Sequence, residues 1–350
     1  MSIDWLNKPI AKLNEDLLQQ AREQQLQLTK PPGSLGRLED IAVRLAAMQQ
    51  RRAIQLDKVQ IVVFAADHGV AAEGVSAFPQ AVTTEMVKNF ARGGAAISVM
   101  ARELGASLEV VDVGTVIPAG PLAGVVDNRV AAGTANMATQ AAMDETQLAS
   151  ALQAGRDAVS RGVQQGMQLF IGGDMGIANT SAATAIACAV LKQSALSLTG
   201  PGTGLDEAGV KHKAAVIQSA LDKHASELNT PENILRHLGG FEIAALCGAY
   251  LACAQQGVPF IVDGFIATSA ALLAVNIQAD VKQWMFMAHR SAEPGHKQML
   301  EAIAIEPLLD MGMRLGEGSG AALALPLLRM AAVTHAQMAT FAEAGVSEKA

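Results

Sequence analysis

One arrangement recurs along this chain: a short, almost unbroken apolar run is followed by glycine or charged residues and then by a segment with helical periodicity. The apolar runs span residues 59–65, 108–113, 168–171, 259–262 and 284–288. Helical patterns between and after them span residues 145–165, 179–192, 205–224 and 265–277. Continuous apolar runs are typical of strands that are buried on both faces. The sequence therefore predicts an α/β fold with a parallel, doubly wound sheet.

The two ends of the chain lack this alternation. Helical patterns with no strand between them span residues 3–29, 34–51 and 320–344. The last pattern predicts one or two helices, broken near Pro326. Helices from both ends could pair with each other. We therefore expect a small helical domain from residues 1–55 plus 320–350, and a large α/β domain from residues 56–319.

The composition limits the classes of function. The 350 residues carry a net charge of −7, and no basic run exceeds Arg51–Arg52, so no nucleic-acid partner is expected. Three cysteines without a CxxC pair favour reduced thiols in a cytoplasmic protein. Charged residues interrupt the first 20 positions, where a signal peptide would be apolar. Residues 243–254, the most apolar run, are too short to span a bilayer, so no membrane partner is predicted either.

Polar residues that follow the predicted strands would meet at one edge of the sheet, where ligands bind in such folds. One of them is Asp174, in a segment that joins a predicted strand to a helix through glycines that include Gly176. Asn179 and Thr180 would add hydrogen-bond donors at the positive end of that helix, as a phosphate site requires. A tight turn with a helix cap fits the same residues, so this segment alone leaves both interpretations open.

A second glycine cluster, residues 200–204, contains Gly202 and Gly204 and precedes a helical pattern that carries Lys213. Two such loops favour a phosphorylated ligand. Neither loop matches the P-loop motif or the spaced glycines of dinucleotide folds, which disfavours a P-loop NTPase and an ordinary dehydrogenase. The phosphate would therefore belong to a smaller ligand.

Glu317 stands among three glycines, at positions 316, 318 and 320, just before an apolar helix. Flanking glycines let a carboxylate face a ligand, which makes Glu317 the best candidate for a general base. A glutamate that only compensates the helix dipole would fit the same position. Without further context, that second interpretation is favoured.

Two further groups are ambiguous. Asp67, His68 and His289 follow predicted strands and could hold a metal, but no motif with metal-ligand spacing accompanies them, so a hydrogen-bonding role is favoured. A glycine-punctuated loop could form an apolar wall with one polar handle for a flat aromatic ligand, although a plain surface loop is the safer interpretation. The loop residues concerned are Ser76, Phe78, Pro79 and Gln80.

Taken together, six segments resemble the nicotinate-nucleotide:dimethylbenzimidazole phosphoribosyltransferase family, in order and over nearly the whole chain. They are LTKPPGSLGRLE at 28–39, DHGV at 67–70, VDVG at 111–114, GIANT at 176–180, DGF at 263–265 and RLGEGSG at 314–320. Each segment alone is weak evidence, but their order and the glycine-framed Glu317 are specific together. The resemblance outweighs the alternatives given above for Glu317 and for the two glycine loops.

The resemblance implies a Rossmann-like large domain, a small helical domain made from both chain ends, and a homodimer. It implies that nicotinate mononucleotide gives its 5-phosphoribosyl group to 5,6-dimethylbenzimidazole, which forms α-ribazole 5′-phosphate and nicotinate for the lower ligand of cobalamin. Neither a cofactor nor a metal is implied. The pyridinium ring of the donor loses its positive charge on leaving, so no pyrophosphate needs a metal to neutralise it.

Matched position by position, the resemblance also assigns residues. Glu317 is the expected base, with Asp174 and Lys213 as further catalytic residues. The expected nucleotide and phosphate site contains Gly176, Asn179, Thr180, Gly202, Gly204, Ser291 and Arg314. The expected benzimidazole site contains Ser76, Phe78, Pro79, Gln80, Met86 and Leu315. The family commonly has Glu where this chain has Asp174, which shortens the reach of that carboxylate toward a ligand.

Two other classes of protein remain as alternatives. The first is a metal- or nucleotide-dependent hydrolase that uses Asp67, His68 and His289; full activity in a chelator would count against it. The second is a ligand sensor or scaffold that has the same sheet and no catalytic activity. Binding without turnover would favour that alternative.

Overall fold

A parallel sheet of six strands forms the centre of the protein, for which the computed structural model describes residues 2–347. The strands are β1 (Val59–Ala66), β2 (Ser107–Gly114), β3 (Val125–Asp127), β4 (Leu169–Met175), β5 (Phe260–Val262) and β6 (Met285–Met287). Their order across the sheet is β3-β2-β1-β4-β5-β6, and every neighbouring pair is parallel. The chain thus extends the sheet in one direction from β1 and in the other from β4, which confirms the predicted doubly wound α/β fold.

Helices flank this sheet and form both ends of the described chain. The α-helices are α1 (Glu15–Gln27), α2 (Arg37–Gln49), α3 (Ala81–Arg92), α4 (Ala96–Glu103), α5 (Glu145–Gln164), α6 (Asn179–Leu191), α7 (Ala195–Leu198), α8 (Glu207–His224), α9 (Pro231–Leu238), α10 (Phe241–Gln256), α11 (Phe265–Ile277), α12 (His296–Ile303), α13 (Ser319–Gln337) and α14 (Phe341–Ala344). Short 3₁₀ helices lie at Asp4–Asn7, Gly69–Glu73 and Ala279–Trp284. Within residues 2–347, no helix combines the length and the apolar character needed to cross a membrane.

The five predicted strands all exist, but two details of the prediction are wrong. Strand β3 was not predicted, because it has only three residues at the edge of the sheet and is partly exposed, so it has no apolar run. Strand β4 continues to Met175, four residues beyond its predicted end. Its extension includes Gly172 and Gly173, which the sequence analysis placed in a turn after the strand.

The helices at the chain ends pack together as expected: α1 contacts α2, and α2 contacts α13. Helix α13 continues through Pro326, so the predicted break there is wrong. Pro326 is exposed, and the burial of the opposite face of α13 outweighs the cost of about 3 kcal/mol for an internal proline. The division into 1–55 plus 320–350 and 56–319 stays a prediction, and residues 1 and 348–350 lie outside the described chain.

Helix α10 has the most buried surroundings in the fold, because every residue from Phe241 to Ala254 is buried. It packs on β1, β2 and β4 and lies closely against α5. This approach depends on two glycines. A Cβ atom on Gly155 of α5 would overlap the carbonyl oxygen of Ala245, and one on Gly248 of α10 would overlap that of Leu152. The two helices therefore touch backbone to backbone.

We predict that Gly155→Ala destabilises the protein by about 1–3 kcal/mol or more, because the new methyl group meets main-chain atoms that cannot rotate away. Gly209→Ala in α8 is the control. Its methyl group would meet only the Leu205 and Asp206 side chains, 3.1–3.2 Å away, and alanine is the better helix former. Urea unfolding measures both changes, and an equal effect of the two substitutions would contradict the prediction.

Candidate active site

A cavity of about 290 Å³ opens at the carboxyl ends of β4, β5 and β6. It lies beside the boundary between β1 and β4, where the direction of sheet building reverses and where ligands bind in doubly wound folds. Its lining contains Phe78, Asp174, Met175, Gly176, Ile177, Asn179, Thr180, Gly202, Thr203, Gly264, Phe265, Ile266, His289, Ser291, Glu293, Arg314, Leu315 and Gly316. A larger cleft of about 370 Å³ between α1, α2 and α13 is remote from these strand ends.

The N-terminus of α6 forms one wall of the cavity through Asn179 and Thr180. Its N-cap residue is Ala178, with a φ of 75°, and no side chain caps the helix. The N–H groups of Asn179 and Ser181 donate to the Gly176 and Ala178 carbonyl oxygens over 3.1 and 2.9 Å, and no side chain neutralises the positive end of the helix dipole at this wall. Gly176 lies just before this turn, against β1, where a Cβ atom would overlap the Ala66 carbonyl oxygen.

The loop around Gly202 forms a second wall and is held from two sides. The Gly202 N–H donates to Glu293 Oε1 over 3.1 Å, and its carbonyl oxygen accepts from Arg314 Nη1 over 2.9 Å. Gly202 has a φ of 54°, in the left-handed region that favours glycine. Glu293 and Thr203 also line the cavity but were not predicted as site residues, although Glu293 lies only two residues after the predicted Ser291. Gly204, in contrast, does not line the cavity.

Lys213 lies behind the cavity wall rather than in it. Its Nζ donates to Thr180 Oγ1 over 2.6 Å and to the Gly200 carbonyl oxygen over 3.5 Å, and the residue is only 1% exposed. Burial lowers the pKa of Lys213 to about 8, although the carboxylate of Glu293 opposes this shift. A cation thus stands directly behind Thr180, near the open end of α6.

Asp174 lines the cavity from the end of β4. Its Oδ2 accepts from Asn179 Nδ2 over 3.0 Å, while Oδ1 is buried and has no hydrogen-bond partner within residues 2–347. Burial raises the pKa of Asp174 well above its ordinary value, and the nearby carboxylates of Asp263 and Glu242 raise it further. A neutral Asp174 would be able to donate a hydrogen bond as well as accept one.

Glu317 is buried just beyond Gly316 and is not itself among the residues that line the cavity. Its N–H donates to the Asp174 carbonyl oxygen over 3.2 Å. Its side chain has one buried oxygen, Oε2, for which the described chain offers no hydrogen-bond partner. Burial raises the pKa of Glu317; the Ile97 N–H opposes the shift and Asp263 adds to it. A carboxyl group with a free oxygen and a raised pKa has the properties of a general base.

The predicted benzimidazole residues are only partly brought together. Phe78 and Leu315 line the cavity and remain 50% and 58% exposed. The lining does not include Ser76, Pro79, Gln80 or Met86. Gln80 Nε2 instead donates to the His68 carbonyl oxygen over 2.9 Å, and Ser76 Oγ accepts from the Phe78 N–H over 3.3 Å. These two polar contacts hold the loop that presents Phe78.

Two of the three residues considered as metal ligands, Asp67 and His68, are engaged elsewhere, whereas His289 lines the cavity. His68 Nε2 lies 2.6 Å from Glu242 Oε1 in a fully buried pair. Asp67 accepts from Thr83 Oγ1 over 2.6 Å and from the Val116 N–H over 2.8 Å. No group of three or more histidine, cysteine, aspartate or glutamate side chains in the described part of the chain is arranged to hold a metal ion. These contacts brace the floor of the site.

Comparison with known proteins agrees with this fold. Residues 10–346 match the model of a family described as phosphoribosyltransferase. The chain therefore belongs to this phosphoribosyltransferase family.

Its relatives carry a more specific name. The chain is 58% identical over 349 residues to the nicotinate-nucleotide–dimethylbenzimidazole phosphoribosyltransferase of Pseudomonas aeruginosa strain LESB58, and equally similar to the protein of that name from Pseudomonas putida strain W619. Each comparison covers 100% of this chain and 99% of the relative. The crystal structure of CobT from Thermus thermophilus is 45% identical, with a TM-score of 0.91 over 95% of this chain and 100% of that one.

We predict that the burial of Lys213 makes stability depend on pH. Its pKa is about 8 in the folded state and near 10.5 for an ordinary lysine, so the folded state disfavours its charged form. The resulting destabilisation is complete below pH 8 and disappears as the pH rises above 10.5. Between pH 7 and pH 9.5, the free energy of unfolding of the parent protein should therefore rise by about 2 kcal/mol relative to that of Lys213→Met.

Urea unfolding in phosphate-free buffer at these two pH values measures the difference. Lys211→Met removes an exposed lysine from the same helix and serves as the control. A pH dependence that is identical in Lys213→Met, Lys211→Met and the parent would contradict the prediction.

Proposed function

We propose that this protein transfers the 5-phosphoribosyl group of nicotinate mononucleotide to 5,6-dimethylbenzimidazole. The observation that carries the proposal is the position of Glu317, a buried carboxyl group with an unpartnered oxygen beside a cavity that also has the open N-terminus of α6. The reaction needs these two features, a proton acceptor and an anion site, within the length of one nucleotide. Full-length similarity to enzymes named for this reaction supports the same substrates.

The donor phosphate is assigned to the wall formed by the α6 N-terminus and the Gly202 loop. The positive end of the α6 dipole attracts the anion, and the hydroxyls of Thr180 and Ser291 supply hydrogen-bond donors. Lys213 supplies positive charge through Thr180, to which its Nζ is already bonded. We assign the ribose to the floor near Asp174, whose Oδ1 is free to hydrogen-bond a ligand.

The aromatic acceptor is assigned to the rim of the cavity between Phe78 and Leu315. Both side chains are half exposed, and both line the cavity. A flat ring placed on them would remove apolar surface from water, which stabilises the complex by roughly 25 cal/mol per Å². Ser76, Pro79, Gln80 and Met86 stand outside the cavity, so the loop and the first part of α3 would have to approach the ring for these residues to contact it.

The proposed reaction is one displacement at the C1′ atom of the ribose. Glu317 accepts the N–H proton of dimethylbenzimidazole while the other ring nitrogen forms a bond to C1′. The bond between C1′ and the nicotinate nitrogen breaks, and its electron pair neutralises the pyridinium charge. Attack opposite the leaving group inverts the β configuration to α. Two ligands held in one cavity avoid most of the entropy cost of meeting. In well-oriented pairs this can lower the activation barrier of the reaction by about 7 kcal/mol or more.

The proposal extends to a homodimer in the cytoplasm. Helix α13 buries one face, yet its other face is also apolar and exposed, at Leu323, Pro326, Met330 and Val333. An apolar stripe of this kind favours a protein partner, and a second copy of the chain is the simplest one. Three buried, unpaired cysteines within the described residues support a reducing compartment.

We predict that Glu317→Gln lowers kcat by about 100-fold or more, because the amide has the shape of the carboxylate but cannot take the proton. The assay follows nicotinate release and α-ribazole 5′-phosphate formation by chromatography, with and without a chelator. Glu301→Gln, on the exposed surface of α12, is the matched control and should keep full activity.

Three outcomes separate the possibilities. Product from the parent in the presence of chelator, and hardly any from the folded Glu317→Gln variant, supports both the reaction and the base. Equal turnover by that variant would place the base elsewhere. Binding of both substrates without any turnover by the parent would overturn the proposed function in favour of a sensor.

We predict that Leu323→Glu combined with Met330→Glu converts the homodimer to a monomer, since two carboxylates would have to be buried in the interface. Sedimentation velocity measures the mass. Leu196→Glu, on the most exposed apolar side chain of α7, is the control and should leave the mass of two chains unchanged. A parent protein with the mass of one chain would contradict the homodimer, as would a double variant that stays dimeric.

A further inference from the structure

Glu317 stands on a strained turn. Gly316, Glu317 and Gly318 have φ values of 86°, 65° and 84°, so three successive residues lie in the left-handed region. Glycine adopts this region freely, but a residue with a Cβ atom loses about 1–2 kcal/mol there. Such a conformation persists only when the surroundings hold it in place. The turn that carries the proposed base must therefore be fixed by contacts from outside.

The Asp174 carbonyl oxygen holds Glu317 itself, and Asp263 supplies the side-chain contact that holds the end of the turn. It follows β5 and is fully buried; its Oδ2 accepts from the Gly318 N–H over 3.1 Å and its Oδ1 from the Ala321 N–H over 2.8 Å. One carboxylate thus ties the end of the turn to the first turn of α13. Helix α13 has no capping side chain of its own, because its N-cap residue is Gly318. Asp263 supplies the missing acceptor from the end of β5, and its negative charge is favourable at the positive N-terminus of α13.

The carboxylate of Asp263 is itself held in place. His289 Nε2 lies 3.9 Å from Asp263 Oδ1, and a Cβ atom on Gly264 would lie 3.1 Å from the same His289 nitrogen. A Cβ atom on Gly320 would overlap the His289 ring. The region between β5, β6 and α13 is therefore closely packed around the His289 ring, which lies beside the Asp263 carboxylate.

We infer that Asp263 is a positioning residue: by holding Gly318 and Ala321 it fixes the strained turn and aims the carboxyl group of Glu317 at the acceptor base. The inference rests on the proposed function, because it takes Glu317 to be the base. Asp263 is fully buried and both of its oxygens accept from the main chain of this turn and of α13, so it acts through Glu317 rather than on a ligand.

The electrostatics give this role a signature of its own. The groups that act on the Glu317 carboxyl are Asp263, which raises its pKa, and the Ile97 N–H of α4, which lowers it, in addition to burial. Those around Asp263 are His289 after β6, Asp174 on β4 and the Tyr250 hydroxyl of α10. Removing the charge of Asp263 while keeping its shape therefore lowers the pKa of Glu317. The acidic limb of the kcat profile should move to lower pH.

The test is Asp263→Asn, in which an amide nitrogen replaces one of the two accepting oxygens. We expect kcat to fall by about 10- to 100-fold, a range typical of a misplaced catalytic group. The KM for nicotinate mononucleotide should change less than about threefold, because the cavity lining is intact. The acidic limb of kcat should shift to lower pH.

The matched control is Asp112→Asn. Asp112 is also buried, near the end of β2, where its Oδ1 accepts from the Gly114 and Thr115 N–H groups over 3.1 and 2.9 Å, and it is not among the groups that act on the Glu317 carboxyl. Its substitution should leave kcat and the acidic limb unchanged even if stability falls. An Asp263→Asn variant that keeps the parent kcat and the parent pH profile would overturn the inference.

Amide hydrogen exchange in the unaltered protein keeps the inference testable if Asp263→Asn does not fold. Slow exchange at both Gly318 and Ala321 is expected from their bonds to a buried carboxylate, and fast exchange at either one would overturn the inference. Failure of the proposed function looks different. The parent protein itself would then make no product, whereas failure of this inference alone leaves an active parent and an equally active Asp263→Asn.

Discussion

The rest of the structure depends on the close approach of β4 to helix α10 and to the turn at Glu317. This approach is possible only because Gly172 and Gly173 lack side chains. Successive strand residues point to opposite faces of the sheet. A Cβ atom on Gly172 would lie 2.5 Å from the Leu246 side chain of α10, and one on Gly173 would overlap the Glu317 carbonyl oxygen. One dipeptide therefore seats the central buried helix on one face and the turn of the proposed base on the other.

Four buried carboxyl groups lie near the carboxyl ends of the strands, close to the cavity. Asp174, Glu242, Asp263 and Glu317 come from different elements, and each is anchored by a partner that the fold supplies: the Asn179 amide, the His68 ring, the α13 N–H groups and the Ile97 N–H. Buried carboxylates repel one another and lose hydration, so such a cluster is costly for stability. Its presence at the strand ends favours a chemical role over a structural one.

Much of the fold could be predicted from the sequence, because buried parallel strands and long helices leave strong patterns. Five of the six strands and the helices α5, α6, α8 and α11 follow directly from apolar periodicity. The edge strand β3 could not be found this way, because its three residues are only partly buried or exposed and form no apolar run. The continuation of α13 through Pro326 could not be found either, since it depends on tertiary packing that a local rule does not include.

The candidate site was harder to predict than the fold. Glycine-rich loops and the glycine-framed Glu317 are visible in sequence, and the structure places Gly176, Gly202, Ser291 and Arg314 around one cavity. Glu293 carries no local signal, because its part in the site comes from a hydrogen bond to Gly202, 91 positions away. Ser76 and Gln80 lie outside the cavity although Phe78 of the same loop lines it, and a local sequence pattern does not distinguish these positions.

The burial of Lys213 also bears on how the site gains its affinity. A lysine on the surface keeps its water until a ligand arrives, and the water must then be removed as part of binding. Here folding has already removed that water, since Lys213 is enclosed and bonded to Thr180 before any ligand is present. The burial of Lys213 thus lowers the stability of the folded protein and places a dehydrated cation next to Thr180. In the proposed complex, the donor phosphate would be attracted by a charge behind Thr180 that is already dehydrated, so its binding would not include the cost of that dehydration.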